Sequence, residues 1–117
     1  MKRASLALLT CIAVIIAASP IQAADPAFVG TWGKDIAQCA ISQEVQGAPI
    51  VYSKDGYDQH EAHCKFKTIN QDANKWNITA ACSVEGDEQT EKFTIVVKDT
   101  TLTTINEYGK YVLIRCP

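Results

Sequence analysis

The chain has 117 residues, with 11 basic and 13 acidic side chains and a formal net charge of −2. This length suits one small domain, since the sequence has no repeat, low-complexity tract or linker. Nucleic-acid binding requires a clustered basic patch, whereas the closest basic pair after residue 23 is Lys65 with Lys67 on one predicted strand. Nucleic acid is therefore not an expected partner.

The N-terminus predicts an export signal. Lys2 and Arg3 form a basic head, and an apolar run over 6–18 follows them. A run of about thirteen residues is shorter than the roughly twenty that a membrane-spanning helix needs. We expect cleavage after Ala23, which leaves one domain over 24–117 with no inserted membrane segment.

A competing interpretation makes Cys11 the lipidated residue of a lipoprotein. Thr10 precedes it where Gly, Ala or Ser is usual, and the apolar run continues past Cys11. The cleavable signal is the preferred hypothesis, with a periplasmic or secreted location.

Loss of the signal removes Cys11 and leaves four cysteines. These are Cys39, Cys64, Cys82 and Cys116. An even number in a short exported chain predicts disulfides. A structural zinc site is the competing use of four cysteines, but the sequence has no C-x-x-C pair.

The first part of the domain predicts one strand and one helix. Residues 28–32 are a candidate seventh strand. Within 34–42, Ile36 and Cys39 recur at helical spacing after Asp35. We expect this short helix to cap one end of a sheet.

A strand at 50–53 leads through an Asp-Gly turn into Tyr57, and 57–68 is predicted to be extended. His60 and His63 lie in this segment, three residues apart, whereas the zinc-protease motif H-E-x-x-H separates its histidines by four. On one strand they would point to opposite faces. No metal site is expected there, although a metal-binding or envelope-stress role for 60–63 stays an alternative.

Residues 62–84 predict a hairpin whose turn lies at 71–74, because apolar residues alternate on both sides of it. Positions 64 and 82 are symmetric about residue 73, so Cys64 and Cys82 would lie opposite each other and could be bridged. Cys39 and Cys116 would then form the second disulfide. The sequence allows three pairings, of which this one is favoured.

Three more strands follow the hairpin, and the first starts at Phe93, with apolar residues alternating at 93, 95 and 97. A two-residue turn at Gly86-Asp87 would set Ala80 opposite Phe93, and strands at 101–107 and 110–116 complete the chain. The prediction is an all-β fold: an antiparallel meander of six to seven strands that forms a small barrel or closed sheet, with one short N-terminal helix and two disulfides.

Catalysis is not expected. The sequence has no G-x-S-x-G nucleophile elbow, and four paired cysteines would leave no reactive thiolate. No cofactor motif is present either, so we expect a protein that is not an enzyme.

Gly30-Thr31-Trp32 resembles the G-x-W signature near the first strand of small exported bacterial calycin-like β-barrel proteins. The resemblance covers these three residues. It implies a barrel that Trp32 closes at one end. It also implies that the barrel binds a small apolar ligand or, through its loops, another protein. A barrel this short would be filled by its own side chains, so we expect binding at the surface.

The functional expectation is an exported, non-enzymatic binding or inhibitor-like module. It would act through exposed turns that carry Tyr57, Tyr108 and Tyr111, since tyrosine brings a large contact area at a small entropic cost. The expected partner is an envelope protein. A structural domain without a binding role is a further alternative.

Overall fold

The computed structural model describes residues 10–16 and 24–117. The described residues form eight strands and one short helix. In chain order these are β1 (Gly30–Gly33), α1 (Ile36–Cys39), β2 (Ile50–Ser53), β3 (Gly56–Gln59), β4 (Ala62–Asp72), β5 (Lys75–Val84), β6 (Asp87–Lys98), β7 (Thr101–Asn106) and β8 (Gly109–Arg115).

Most of the predicted signal peptide, 1–23, lies outside the described residues, and its described part, 10–16, contains neither helix nor strand. The predicted cleavage after Ala23 also falls outside them. Among the residues described, none of the helices has the length and apolar character needed to cross a membrane.

The sheet closes on itself. Every strand pairs antiparallel with the next in the chain, and β1 pairs with β8 as well as with β2, so the eight strands form a closed barrel. The predicted number of six to seven strands is wrong by one or two. The difference arises at 57–68, which is not a single strand: a turn at His60–Glu61 separates β3 from β4, and His60 adopts a positive φ of 49° there.

The predicted β4–β5 hairpin is present, and Cys64 lies directly opposite Cys82 as predicted. Next to the turn the register differs by one residue from a hairpin centred on residue 73, because Asp72 pairs with Lys75. The structure contains two disulfides, Cys64–Cys82 and Cys39–Cys116. A register shift between Phe66 and Thr68 places a bulge in β4. Such a bulge increases the local twist and helps a short sheet to curl into a barrel.

The β5–β6 turn lies one residue earlier than the sequence predicted. It consists of Glu85 and Gly86, with φ values of 50° and 87°, and two positive φ values are what a type I′ hairpin turn requires. Phe93 consequently lies opposite Ile78 instead of Ala80. The change in register is two residues, so the same side chains still face the core.

One end of the barrel is filled by aromatic side chains. Phe28 and Trp32 are fully buried, and the Phe28 ring packs edge-on against Trp76 with centroids 5.2 Å apart. The indole Nε1 of Trp32 donates a hydrogen bond of 2.8 Å to the carbonyl of Phe28. The Arg115 guanidinium lies 4.3 Å from the centre of the Trp32 ring, which adds a cation–π contact.

Helix α1 is shorter than the predicted 34–42 and packs beside β1. Its N-cap is Asp35, whose Oδ1 accepts a hydrogen bond of 2.8 Å from the Gln38 backbone amide. The Cys39–Cys116 disulfide ties this helix to the residue that follows β8. It therefore braces the side of the barrel where β1 and β8 meet.

Removal of this bridge by Cys39→Ala with Cys116→Ala is expected to lower the free energy of unfolding by about 4 to 5 kcal/mol. The reason is that the bridge closes a loop with a sequence separation of 77 residues, and constraint of the unfolded chain increases with loop length. Urea unfolding of the oxidised wild type and the double variant measures the difference. A loss below about 1 kcal/mol would contradict this role for the disulfide.

Candidate functional site

The other end of the barrel holds a cavity of about 340 Å³, here called the mouth cavity. It lies near the hairpin turns that join β3 to β4, β5 to β6 and β7 to β8. The side chains that face it from inside the barrel are Ile50, Tyr52, Tyr57, Glu91, Phe93 and Thr104, and the rim consists of Gln59, Gln89, Thr90, Lys92, Asn106, Glu107 and Tyr108. The prediction that the barrel is filled by its own side chains therefore holds only at the end closed by Phe28.

Glu91 is the carboxylate that points into this space from a strand. It occupies the same face of β6 as the buried Phe93, Ile95 and Val97, because residues two apart on a strand share a face. Its Oε2 accepts a hydrogen bond of 2.5 Å from the Tyr57 hydroxyl, and its Oε1 accepts one of 3.2 Å from Gln89 Nε2. Two neutral donors thus hold the carboxylate in place.

Glu91 has no basic side chain as a salt-bridge partner within the described ranges. The two ion pairs found there join His60 to Glu61 and His63 to Asp58. A carboxylate on an inward face is costly unless its oxygens are hydrogen-bonded or its charge is balanced. Here the hydrogen bonds are made, and the charge is left without a protein counter-ion.

Three aromatic rings line the cavity together with the carboxylate. Tyr57 packs edge-on against Tyr52, with centroids 5.5 Å apart, and against Phe93, with centroids 5.9 Å apart. Each comes from a different strand, so barrel closure is what brings them together. The mouth cavity therefore has aromatic walls and one charged side chain on an inward strand position, Glu91, while Lys92 and Glu107 lie at its rim.

The sequence placed Tyr57 on an exposed turn, and that placement is wrong. Tyr57 is only 9% exposed, because Gly56 already begins β3 and the next residue points into the barrel opposite Cys64. Tyr108 and Tyr111, the other two tyrosines proposed for contacts, are 82% and 50% exposed at the β7–β8 hairpin.

Both inward tyrosines have a raised pKa. Burial is the main cause of the rise in the pKa of Tyr52, opposed by a hydrogen bond with Thr104 and assisted by the charge of Glu91. Burial also dominates the rise in the pKa of Tyr57, followed by its hydrogen bond to Glu91 and the nearby charges. The two phenols therefore stay neutral well above neutral pH, and the Tyr57 hydroxyl remains a hydrogen-bond donor to Glu91.

The two histidines are held by different partners. His60 lies in the β3–β4 turn, where its Nδ1 is 2.9 Å from the carbonyl oxygen of Gln43. His63 lies on β4, and its Nδ1 is 2.7 Å from Oδ1 of Asp58. The sequence predicted that both histidines lie on one strand and point to its opposite faces. This prediction is wrong, because His60 lies in a turn.

Cys64, Cys82 and Glu91 form the one group of three potential metal ligands within 4.8 Å in the described part of the chain. Both sulfurs are consumed by the Cys64–Cys82 disulfide, so neither is a thiolate that could bind zinc. The 4.0 Å approach of Cys64 Sγ to Glu91 Oε2 is consequently a van der Waals contact. This group does not supply a metal site in the oxidised protein.

Sequence reasoning missed Glu91. The polar run Gln89-Thr90-Glu91-Lys92 was left outside the predicted strand that starts at Phe93. Phe93, Ile95 and Val97 alternate along the strand and share its core face. If this alternation is continued by two residues toward the N-terminus, Glu91 also falls on the core face.

No protein-family model matches the chain, and no match was found among curated proteins or solved structures. Function is therefore inferred from the geometry of the chain itself. The feature that best distinguishes this geometry is an aromatic mouth cavity with one inward carboxylate.

The raised pKa values predict sensitivity to alkali. Below about pH 10 the tyrosines are neutral in the folded and the unfolded chain, whereas above it the unfolded chain releases protons that folded Tyr52 and Tyr57 retain. Stability should therefore fall as the pH rises above 10. Each retained proton steepens that fall by about 1.4 kcal/mol per pH unit.

Urea unfolding between pH 9 and about pH 11 measures this slope in the wild type, in Tyr57→Phe and in Tyr111→Phe. The Tyr57→Phe slope should be shallower, while substitution of the half-exposed Tyr111 should leave the slope unchanged. Equal slopes in the wild type and Tyr57→Phe would refute the assignment.

Proposed function

We propose that this chain is an exported, non-enzymatic binding module that takes a small ligand, or one side group of a larger one, into the mouth cavity. The observation that carries the proposal is Glu91, an inward carboxylate held by Tyr57 and Gln89 within an aromatic cavity. Ligand sites in proteins combine apolar walls with a few fixed polar groups in this way.

A purely structural role explains Glu91 less well. An apolar side chain at this position of β6 would continue the face of Phe93 and Ile95 without the cost of desolvating a charge. The cavity volume of about 340 Å³ lies at the lower end of the range for small-molecule sites, about 300 to 1,000 Å³. The charged side chain of Glu91 and the cavity thus lie at the same end of the barrel.

The surroundings of Glu91 favour binding over catalysis. Its hydrogen-bond partners are a phenol whose pKa is raised and an amide, and neither exchanges protons readily near neutral pH. Cys64, the nearest sulfur, is held in a disulfide and is not a nucleophile. These contacts support a site that holds a ligand without transforming it.

Export is supported by the same disulfides. Two bridges in a small domain are compatible with an oxidising compartment such as the periplasm or the extracellular space. The predicted signal peptide and the location remain part of the proposal.

Inhibitor-like contact with an envelope protein is the second candidate. Tyr108 supports it, because this tyrosine is 82% exposed on the rim of the mouth cavity, and exposed tyrosines suit protein contacts. In this second candidate function, the partner covers the rim and inserts a side chain into the mouth cavity.

A cavity-filling variant tests the proposal. Thr104 on β7 lies opposite the buried Ile95 and lines the cavity, whereas its neighbour Thr103 lies on the other face of the strand. Thr104→Phe should fill the mouth, and Thr103→Phe is the matched control. The probes are a panel of defined small molecules: alkylamines, carboxylates, alcohols, sugars and amino acids.

Thermal unfolding of the three proteins with each probe gives the readout. At ten times its dissociation constant, a probe that enters the mouth should raise the Tm of the wild type and of Thr103→Phe by about 5 to 10 °C. The same probe should leave Thr104→Phe unchanged. A panel without any such probe, or equal stabilisation of Thr104→Phe, would contradict binding in the mouth.

A further inference from the structure

We infer that the mouth cavity selects an organic ammonium group, with Glu91 as its counter-ion and the rings of Tyr52, Tyr57 and Phe93 as its walls. The group belongs to a free alkylamine or to a lysine side chain, which share this chemistry. The inference rests on the proposed function and adds the class of ligand.

The hydrogen-bonding capacity of Glu91 fits a cation with several donors. A carboxylate has about four lone-pair positions, and Glu91 uses one on each oxygen, for Tyr57 and for Gln89. Positions on both oxygens therefore stay available. An ammonium group has three donors and no acceptor. It can therefore donate hydrogen bonds to the free positions on both oxygens, and it places no acceptor of its own against the carboxylate.

Glu91 has no salt-bridge partner within the described residues, although Lys92 is among the residues around the cavity. Lys92, the next residue on β6, is exposed on the opposite face of the strand from Glu91. A bound ammonium group would be the counter-ion that Glu91 lacks. An anionic ligand would be repelled by the same carboxylate.

The aromatic walls add to this preference. A cation near an aromatic face is attracted by the ring quadrupole, and the attraction increases where water is excluded. Tyr52 and Phe93 lie on either side of Tyr57, with centroid distances of 5.5 and 5.9 Å. Their apolar surface also suits the methylene groups that an alkylammonium chain carries.

Inorganic cations fit this site poorly. Calcium requires six to eight oxygen ligands, and magnesium requires near-octahedral geometry. Within the described residues, Glu91 is the carboxylate on an inward strand position, Glu107 lies in the β7–β8 turn at the rim, and the potential ligands beside Glu91 are disulfide sulfurs. An ion that needs two or three carboxylates is thus disfavoured relative to an organic cation.

Isothermal titration calorimetry of the oxidised full protein tests the inference with four probes. n-Butylammonium represents a free amine, and Nα-acetyl-lysine methylamide represents a lysine side chain. n-Butanol is the neutral match, and butyrate is the anionic one. Glu91→Gln removes the charge while it keeps the size, and Glu88→Gln on the exposed part of β6 is the control.

We expect one or both ammonium probes to bind, and n-butanol and butyrate to bind at least about tenfold more weakly. Glu91→Gln should weaken ammonium binding at least about tenfold, and Glu88→Gln should change it less than about twofold. Binding of n-butylammonium alone identifies a free amine as the ligand source. Binding of both probes shows that a lysine side chain is also admitted.

Equal affinity for n-butanol, or ammonium binding that Glu91→Gln leaves intact, would overturn the inference. If a carboxylate or a sugar binds and Thr104→Phe abolishes its binding, the ligand class is wrong while the proposed function stands. If no probe of any class is sensitive to Thr104→Phe, both fail. The comparison of probes on the wild type decides the ligand class even if Glu91→Gln does not fold.

Discussion

The pairing of the four-residue strand β1 with β8 is the constraint on which the rest of the structure depends. Trp32 lies opposite Arg115 in that pairing, and the Cys116 amide donates a hydrogen bond of 2.8 Å to the carbonyl of Thr31. The guanidinium of Arg115 over Trp32 and the Cys39–Cys116 bridge secure the same side. Closure there gives every strand an inward face.

The two ends of the barrel use that inward face differently. At one end Phe28 and Trp32 are fully buried and fill the interior. Edge-on ring contacts continue from Phe28 through Tyr52 to Tyr57, so a continuous aromatic cluster runs from the closed end to the mouth. At the mouth the cluster meets Glu91, and the interior changes from packed rings to a cavity.

Much of the fold was predictable because strand alternation and hairpin symmetry are local properties of the sequence. The opposition of Cys64 and Cys82 was predicted from a turn centred on residue 73, and the structure reaches it with a turn at 73–74 and a bulge between Phe66 and Thr68. The β3–β4 turn was missed because His60 takes a positive φ without a Gly or Asn to signal it. The β5–β6 turn was misplaced for a similar reason: Glu85, which is not a usual residue for positive φ, occupies its first position.

The site was less predictable than the fold, because it depends on closure. Tyr52, Tyr57 and Glu91 belong to β2, β3 and β6, and no spacing in the sequence indicates that Tyr57 and Glu91 meet. The alternation along β6 indicates the face on which Glu91 lies, but only the closed barrel shows that this face surrounds a cavity at that level.

The position of a bound ammonium probe tests the proposed binding site most directly. Nuclear Overhauser effects between the methylene protons of n-butylammonium and the protein can be measured at saturating probe. A probe bound in the mouth cavity should give contacts to the ring protons of Tyr52, Tyr57 and Phe93, which line this cavity. Contacts confined to the exposed Tyr108 and Tyr111, or no contacts to any aromatic ring, would contradict binding in the mouth cavity.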